Sequence, residues 1–487
     1  MIGRTSPREA GLEEKWIRRF LYKMQYEGVN LHSVLLLRGN DIFFEKYWAP
    51  FDADKIHRMY SVTKSFVSMA VGCLIDEGKI ALSDPIVKFF PDKLPENVPE
   101  FMQEQTIEHM LMMSTCQADG HSWFTPGVYD RTKFYFAQKP DKPAGTNFHY
   151  DSNGSYILGA LVERISGMKL LDYMKEKFLN RIGGFESAQM LETPDGVAWG
   201  DSALLCTPRA LMNFAKLVMN LGAWDGEQLI SRDYVANAIS VKTTNNLEGS
   251  VHRNRYGYGY QIWRTNENSF SFNGMGSQFA ICVPDKDFIF VCTADTQLNS
   301  EVDNPAIFRA VFDELVHHLD GEEEHFNYDL QSEAQLSVSL GEKESAFQQE
   351  VNGVTFRCDE NPMGIKWFRL SWDEKNQGCF IYENAQGEKK LPFGMKENIF
   401  CKFPQLGYSN DNGNVHELNG FMYDCAVSAG WVEQQKLQLR VQIVDRYFGI
   451  LIITFGFRKD GVVGVKMMKR AEDFLTEYNG WMSGRKA

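Results

Sequence analysis

A chain of 487 residues, 44% of them apolar and 24% charged, has globular composition and length enough for two or three domains, which excludes a disordered or fibrous protein. The net charge of −13, with basic residues scattered rather than gathered in a stripe, opposes phosphate backbones and anionic lipid, so neither nucleic acid nor a membrane is an expected partner. The nine cysteines lie far apart, mostly in apolar runs such as AICV and FVCTA, with no Cys-x-x-Cys pair; they read as small buried hydrophobes in a reducing compartment. The opening MIGRTSPREAGLEEKW has no apolar signal core, and FGILIITFGF (448–457) is too short to cross a bilayer as a helix, so a soluble cytoplasmic protein is expected.

Residues 8–28 carry apolar side chains at helical spacing, and HSVLLLRGNDIFFEKYW then gives two apolar runs joined by Arg-Gly-Asn-Asp, a helix followed by a hairpin. Helical periodicity dominates from 61 to about 240, in the segments 61–78, 105–114, 154–166, 170–180 and 207–221. Strand patterns return at YGYGYQIW (256–263), SFSF (269–272), QFAICV (278–283) and DFIFVCTA (287–294), before a helix at about 303–319. This order predicts an α+β domain whose antiparallel sheet is built from both ends of the segment. The acidic DGEEEHFNYD (320–329) reads as a linker, placing a boundary between domains 1–322 and 323–487. Beyond it, short alternating runs (VTFRCD, WFRLSW, GCFIYE, KLQLRVQIV, GILIITFGF, GVVGVKMM) separated by turn signals predict a small antiparallel β-barrel of lipocalin-like type.

Three segments carry chemistry. Ser61-Val-Thr-Lys64 opens a strongly apolar helix; a Ser there faces free backbone N–H groups, and the i, i+3 spacing sets Lys64 beside it. Ser-x-x-Lys is weak by itself, since about two copies are expected by chance in such a chain. Two more occur, Ser166-Gly-Met-Lys169 at a helix-ending Gly and Ser483-Gly-Arg-Lys486 in a polar C-terminal tail. Taken alone, Ser61 reads equally as a helix N-cap. The second segment, PAGTNFHYDSNGSYILGALVERISG (143–167), puts Tyr150 in a polar loop packed against a helix start. In the third, Asn273-Gly274-Met275-Gly276 interrupts a hairpin strand, a pattern of a β-bulge or of close backbone approach to a ligand.

In this order and spacing the chain resembles the serine β-lactamase-related family, which includes class C β-lactamases, D-alanyl-D-alanine peptidases, esterases and amide hydrolases of the 6-aminohexanoate-dimer-hydrolase branch. The resemblance runs over residues 5–320 and takes in SPREAGL, DEGKIALSDPIVKFFP, TIEHMLMMST, GDSALLCTPRALMNFAKL and YGYGYQIW. It implies a β-lactamase/transpeptidase-like fold with Ser61 as nucleophile, Lys64 as the helix lysine and Tyr150 as the tyrosine of the second motif. The third position of that motif falls on Ser152 when phased on Tyr156 and Gly159, with Asn153 one residue away. Where the family has Lys-Thr-Gly or His-x-Gly, this chain has Asn273, Gly274, Met275 and Gly276 as candidate substrate-binding residues, and Lys242-Thr243 lacks the following Gly. Those side chains supply no cation for a substrate carboxylate, so a small neutral ester or amide is the expected substrate rather than a penicillin or D-Ala-D-Ala peptide.

The resemblance implies an acyl-enzyme on Ser61, with an oxyanion hole from the backbone N–H groups of Ser61 and Met275. Lys64 must be neutral to accept the Ser proton; bringing an ordinary lysine to a pKa near 7 costs roughly 4 kcal/mol, for which burial in the apolar helix face beside Tyr150 is the expected source. No metal or other cofactor is expected: His317, His318 and His325 read as a polar helix end. HSWF (121–124), Trp199 and Tyr256 read as core or cleft aromatics. The alternatives are a β-lactamase or D-alanyl-D-alanine carboxypeptidase or D-aminopeptidase on the same fold, and a non-catalytic penicillin-binding-protein-like recognition module.

Overall fold

The computed structural model describes residues 2–117, 128–244, 256–266, 268–321, 335–405, 422–471 and 475–487. The segment HSWF, His325, most of the acidic break and the expected 322/323 boundary lie outside them. The chain divides into two compact units, one formed by Met1–Gln335 and the other by Leu336–Asn412 with Leu418–Ala487.

The first unit is organised on a seven-stranded sheet. Its strands are β1 (Gly3–Arg4), β2 (Leu31–Arg38), β3 (Asp41–Tyr47), β4 (Trp263–Asn266), β5 (Ser269–Gly274), β6 (Gln278–Val283) and β7 (Phe288–Ala294), in the order β1-β3-β2-β7-β6-β5-β4. The two ends of the unit meet at the antiparallel β2–β7 pair, where Leu35 faces Val291 and Leu37 faces Ile289. Both strands are buried almost throughout, so they read as continuous apolar runs rather than alternating ones. Helices cover both faces. On one, Phe20 of α1 (Glu14–Tyr26) meets Phe290 edge-on, with ring centroids 5.5 Å apart. On the other, three elements meet at one ring. Phe214 of a long helix (Pro208–Met219) stacks on Phe66 of α2 (Thr63–Asp76) at 3.6 Å and lies 5.3 Å from Phe272 of β5.

Helix α2 is buried from Thr63 to Leu74, around its whole circumference, as expected of a helix apolar on every side. It packs against α3 (Ser152–Ser166), whose C-terminus is closed by Gly167 at φ +71. The expected strand YGYGYQIW is not one. Gly257 has φ +97, Gln261 has φ +60, and a Cβ at Gly259 would run into the Ala238 carbonyl, so the chain turns repeatedly and becomes a strand only at Trp263. Nor do the glycines of Asn273-Gly274-Met275-Gly276 make a bulge within a strand. Asn273 and Gly274 end β5, and Met275, Gly276 and Ser277 form the turn into β6, with φ of +76 at Gly276 and +66 at Ser277.

The second unit is a closed β-barrel. Its strands are β8 (Thr355–Cys358), β9 (Trp367–Trp372), β10 (Gln377–Asn384), β11 (Gly387–Met395), β12 (Ile399–Lys402), β13 (Asp424–Glu433), β14 (Lys436–Val444), β15 (Phe448–Phe457), β16 (Val462–Ala471) and β17 (Gly480–Lys486). All neighbours are antiparallel except at the closure, where Gly394 and Met395 of β11 pair in parallel with Ser428 and Ala429 of β13; β12 takes the preceding stretch of the same β13 edge. Alternation is clean in β9 and β10, whose Phe368 and Phe380 meet Phe455 of β15 inside the barrel at 5.3 and 5.2 Å. The Ser483-Gly-Arg-Lys486 segment, expected as a polar tail, belongs to β17, which pairs with β8 on one side and β16 on the other. Among the described residues, no helix is long and apolar enough to cross a membrane.

Substituting Gly259→Ala is expected to destabilise the first unit by about 2–3 kcal/mol, because the added methyl meets a backbone carbonyl that cannot swing away. Chemical denaturation compared with the wild type measures this, and an unchanged midpoint would refute the backbone account of the 256–262 turn.

Candidate active site

Ser61 sits in a 3-10 turn, Tyr60–Val62, immediately ahead of α2. The N-cap of α2 is Val62, with no side-chain cap bond, so the cap reading of Ser61 does not hold. Tyr60 occupies the left-handed region at φ +47, a conformation that costs a bulky residue on the order of 1–3 kcal/mol and is held only by its surroundings. Here the surroundings are the buried guanidinium of Arg58, 4.4 Å from the centre of the Tyr60 ring.

The turn places Ser61 over the first residues of α2. Lys64, 1% exposed, donates from Nζ to Ser61 Oγ at 3.1 Å and to the backbone carbonyl of Asp201 at 2.7 Å. The Asp201 carboxylate lies 3.9 Å from the same nitrogen. The ring of Tyr150 covers the amine from another side, with its centre 5.1 Å away. The ring itself stacks on Trp263 at 5.5 Å and stands edge-on to Tyr258 at 6.5 Å. Tyr150, far from Ser61 and Lys64 in sequence, is therefore gathered with them at one point.

The wall opposite comes from the end of β5. A Cβ at Gly274 would collide with the Met59 carbonyl oxygen, so glycine is what lets this strand end lie against the turn that holds Ser61. Met275, the next residue, is exposed, and Gly276 forms the turn. Asn273 accepts a 2.7 Å bond from Ser271 on its side-chain oxygen, which fixes its amide, while its nitrogen is buried without a partner. Ser152 and Asn153 are both half-buried in the first turn of α3, next to Asp151, whose carboxyl accepts from Thr115 at 2.8 Å and is pushed up by burial.

Several contributors were not given a site role by the sequence. Asp201 is buried beneath Lys64, and one of its carboxylate oxygens has no partner. Burial pushes its carboxyl up to about 6, against the pull of Lys64, Arg131 and Arg58. Those two guanidiniums face the Trp199 ring, 4.7 Å (Arg58) and 5.1 Å (Arg131) from its centre, so Trp199 is a core residue of this charged cluster. Gln261 clamps the scaffold: Ser65 of α2 donates to its backbone carbonyl, and Ser155 of α3 donates to its side-chain oxygen, both at 2.7 Å. Its amide donates to the Met110 and Leu111 carbonyls. Tyr256 is half-buried at the start of this turn region. His318 stacks on Trp16, whereas Lys242 turns its amine to Asn237 and the Tyr260 ring while its backbone N–H donates to the Tyr258 carbonyl at 2.8 Å.

A family profile described as Beta-lactamase matches residues 14–312. The chain is similar to the 6-aminohexanoate-dimer hydrolase of Paenarthrobacter ureafaciens, at 22% identity over 265 residues, half of this chain and 67% of that protein. Among solved structures, it resembles the octameric penicillin-binding protein homologue from Pyrococcus abyssi, with a TM-score of 0.51 and 15% identity over 97% of this chain and 99% of that one. It also resembles a penicillin-binding protein homologue from Caulobacter crescentus, with a TM-score of 0.50 and 15% identity, over 62% of this chain and 98% of that one. The first of these structural likenesses runs through the barrel as well as the sheet unit.

The Asp201 carboxyl binds its proton more tightly folded than unfolded, so the folded protein holds more protons between about pH 4 and pH 6 and loses stability as pH rises through that window. Relative to Asp201→Asn, the wild type should lose up to about 3 kcal/mol of unfolding free energy over this range. Denaturant titrations of both proteins from pH 4 to 7 test it; parallel pH dependences would rule it out.

Proposed function

This chain belongs to the beta-lactamase family, and from that membership we propose that it is a serine hydrolase cleaving a neutral ester or amide through an acyl-enzyme on Ser61. The observation that carries the reading is the 3.1 Å bond between a buried lysine amine and the Ser61 hydroxyl. A solvated helix lysine has no reason to give up water for such a place. A general base must be within this reach of the proton it removes.

In the proposed sequence of events, Ser61 Oγ attacks the carbonyl carbon as Lys64 takes its proton. The tetrahedral oxyanion rests on the backbone N–H groups of Ser61 and Met275, a pairing favoured by the close approach of Gly274 to Met59. Tyr150, over the Lys64 amine, passes the proton to the leaving alcohol or amine, and water then attacks the acyl-enzyme. The Asp201 backbone carbonyl holds the amine in place, so Lys64 needs no rearrangement between steps.

The neutral substrate follows from the turn after β5. Its Asn, Gly, Met and Gly offer hydrogen bonds and an apolar surface but no positive charge for a carboxylate. Trp263 and Tyr150 add a stacked aromatic face suited to an apolar acyl or amine group. The amide-hydrolysing name of the Paenarthrobacter relative supports the amide side of the choice. The widely spaced free cysteines suit a reducing, cytoplasmic setting.

Intact-mass measurement after exposure to an activated p-nitrophenyl ester, a serine-reactive phosphonate and a penicillin tests the assignment. The first two should label the wild type and not Ser61→Ala; labelling that survives in the mutant would sink Ser61 as nucleophile, and a stable penicillin adduct would overturn the neutral-substrate reading. Lys64→Ala should reduce the rate of ester turnover about 10²–10⁴-fold with little change in KM.

A further inference from the structure

All nine cysteines are unbridged, and five of them are buried in the core of the first unit. The second unit differs. Cys401 of β12 and Cys425 of β13 stand directly opposite each other in antiparallel register, with their sulfurs 3.5 Å apart. We propose that Cys401 and Cys425 form a redox-active dithiol that hydrogen peroxide converts to an intramolecular disulfide, fastening β12 to β13 at the closure of the barrel.

Directly opposed residues of an antiparallel pair have Cα atoms about 4.5–5.5 Å apart, inside the span a disulfide bridges. Closing the sulfurs to bonding distance needs about 1.5 Å of approach, which side-chain rotation supplies without moving the strands. The two thiols are unequal. Cys401 is partly accessible, whereas Cys425 is 1% exposed. The hydrogen bond between them favours the thiolate on Cys401 and the proton on Cys425. The adjacent Asp424 carboxylate, which would oppose a thiolate, is tied to Lys402 at 2.8 Å. This asymmetry assigns the steps. The Cys401 thiolate attacks one peroxide oxygen, the O–O bond breaks, and a sulfenic acid and hydroxide result, the hydroxide becoming water with the proton that Cys401 gave up. The Cys425 sulfur then displaces the sulfenic hydroxyl, which leaves as a second water with the Cys425 proton. The two thiols lose two electrons and the peroxide gains them.

The position gives the bond its consequence. β13 is held on this edge by β12 at residues 424–427 and by β11 at only two positions, 428 and 429, in parallel pairing. A covalent link between Cys401 and Cys425 therefore fastens β12 to the same β13 edge that carries the two-position β11 closure. Cys379 on β10 is close enough to influence Cys401 electrostatically and is the competing partner.

The full-length reduced protein is treated with stepwise hydrogen peroxide, then alkylated, weighed intact and mapped by peptides. The expected result is loss of two hydrogens and of two alkylation sites, a Cys401–Cys425 peptide, reversal by dithiothreitol, and a higher unfolding temperature for the oxidised protein. Cys401→Ser should abolish the cross-link, and Cys425→Ser should leave Cys401 oxygenated and unbridged. Oxidation of wild-type Cys401 to the sulfinic acid without a cross-link, or a first cross-link between Cys401 and Cys379, would overturn the proposal. The wild-type map is decisive even where a variant folds poorly.

Discussion

A lysine amine buried beside a serine hydroxyl is the constraint around which the first unit is arranged. Removing an ammonium-sized group from water is costly unless its donors are satisfied. Lys64 satisfies them with the Ser61 hydroxyl and the Asp201 carbonyl, under the face of Tyr150. Each partner comes from a different part of the chain, so the site exists only where the Ser61 turn, the loop before α3 and the segment leading to Leu204–Cys206 are brought together. Residues 57 and 58 pair with 206 and 205 in a small separate sheet, which fixes that last segment against the turn. The buried charges then form a set: Lys64, Asp201, Arg58 and Arg131, with Trp199 between the guanidiniums. A proton on Asp201 changes the field felt by the amine without breaking a single backbone bond.

The parts of this arrangement legible in the sequence were those whose information is local. Ser61 and Lys64 are three positions apart, and Tyr150 precedes a helix with clear periodicity. The strands DFIFVCTA and QFAICV are apolar over their length, so their burial was visible without knowing their partners. What could not be read depends on contacts remote in sequence. YGYGYQIW alternates like a strand, yet Gly259 is placed by the Ala238 carbonyl and Gln261 by the helices it clamps. β17 carries Ser, Gly, Arg and Lys, and is a strand because β8 and β16 flank it. β11 was missed for a related reason, since Pro392 and several charged residues disguise it. Asp201 stood inside the quoted GDSALLCTPRALMNFAKL block without a role of its own: an Asp after a Gly reads as a turn residue until the lysine above it is known.

The turn after β5 shows how a departure from a family pattern can be read physically. Where the family pattern has a cation, Asn273, Gly274, Met275 and Gly276 carry none, yet the main chain still lies against the turn that holds Ser61. Machinery made of backbone N–H groups is insensitive to such replacement. In the hydrolysis proposed above, the charge of that turn and the main chain against Ser61 are therefore separate features.

The β2–β7 pair has a further consequence, for the order in which the molecule can be made. Leu35 and Val291 are neighbours in the centre of the sheet but lie near opposite ends of the unit. β2 can pair with β3 as a hairpin as soon as both have been made, but its other edge, along Val34–Leu37, has no neighbour until β7 has been synthesised. Loop closure over such a separation is slow, and unpaired apolar strands are prone to aggregate. One edge of the hairpin therefore stays open until more than half of the chain has been made, and the centre of the sheet is the last part of it to close.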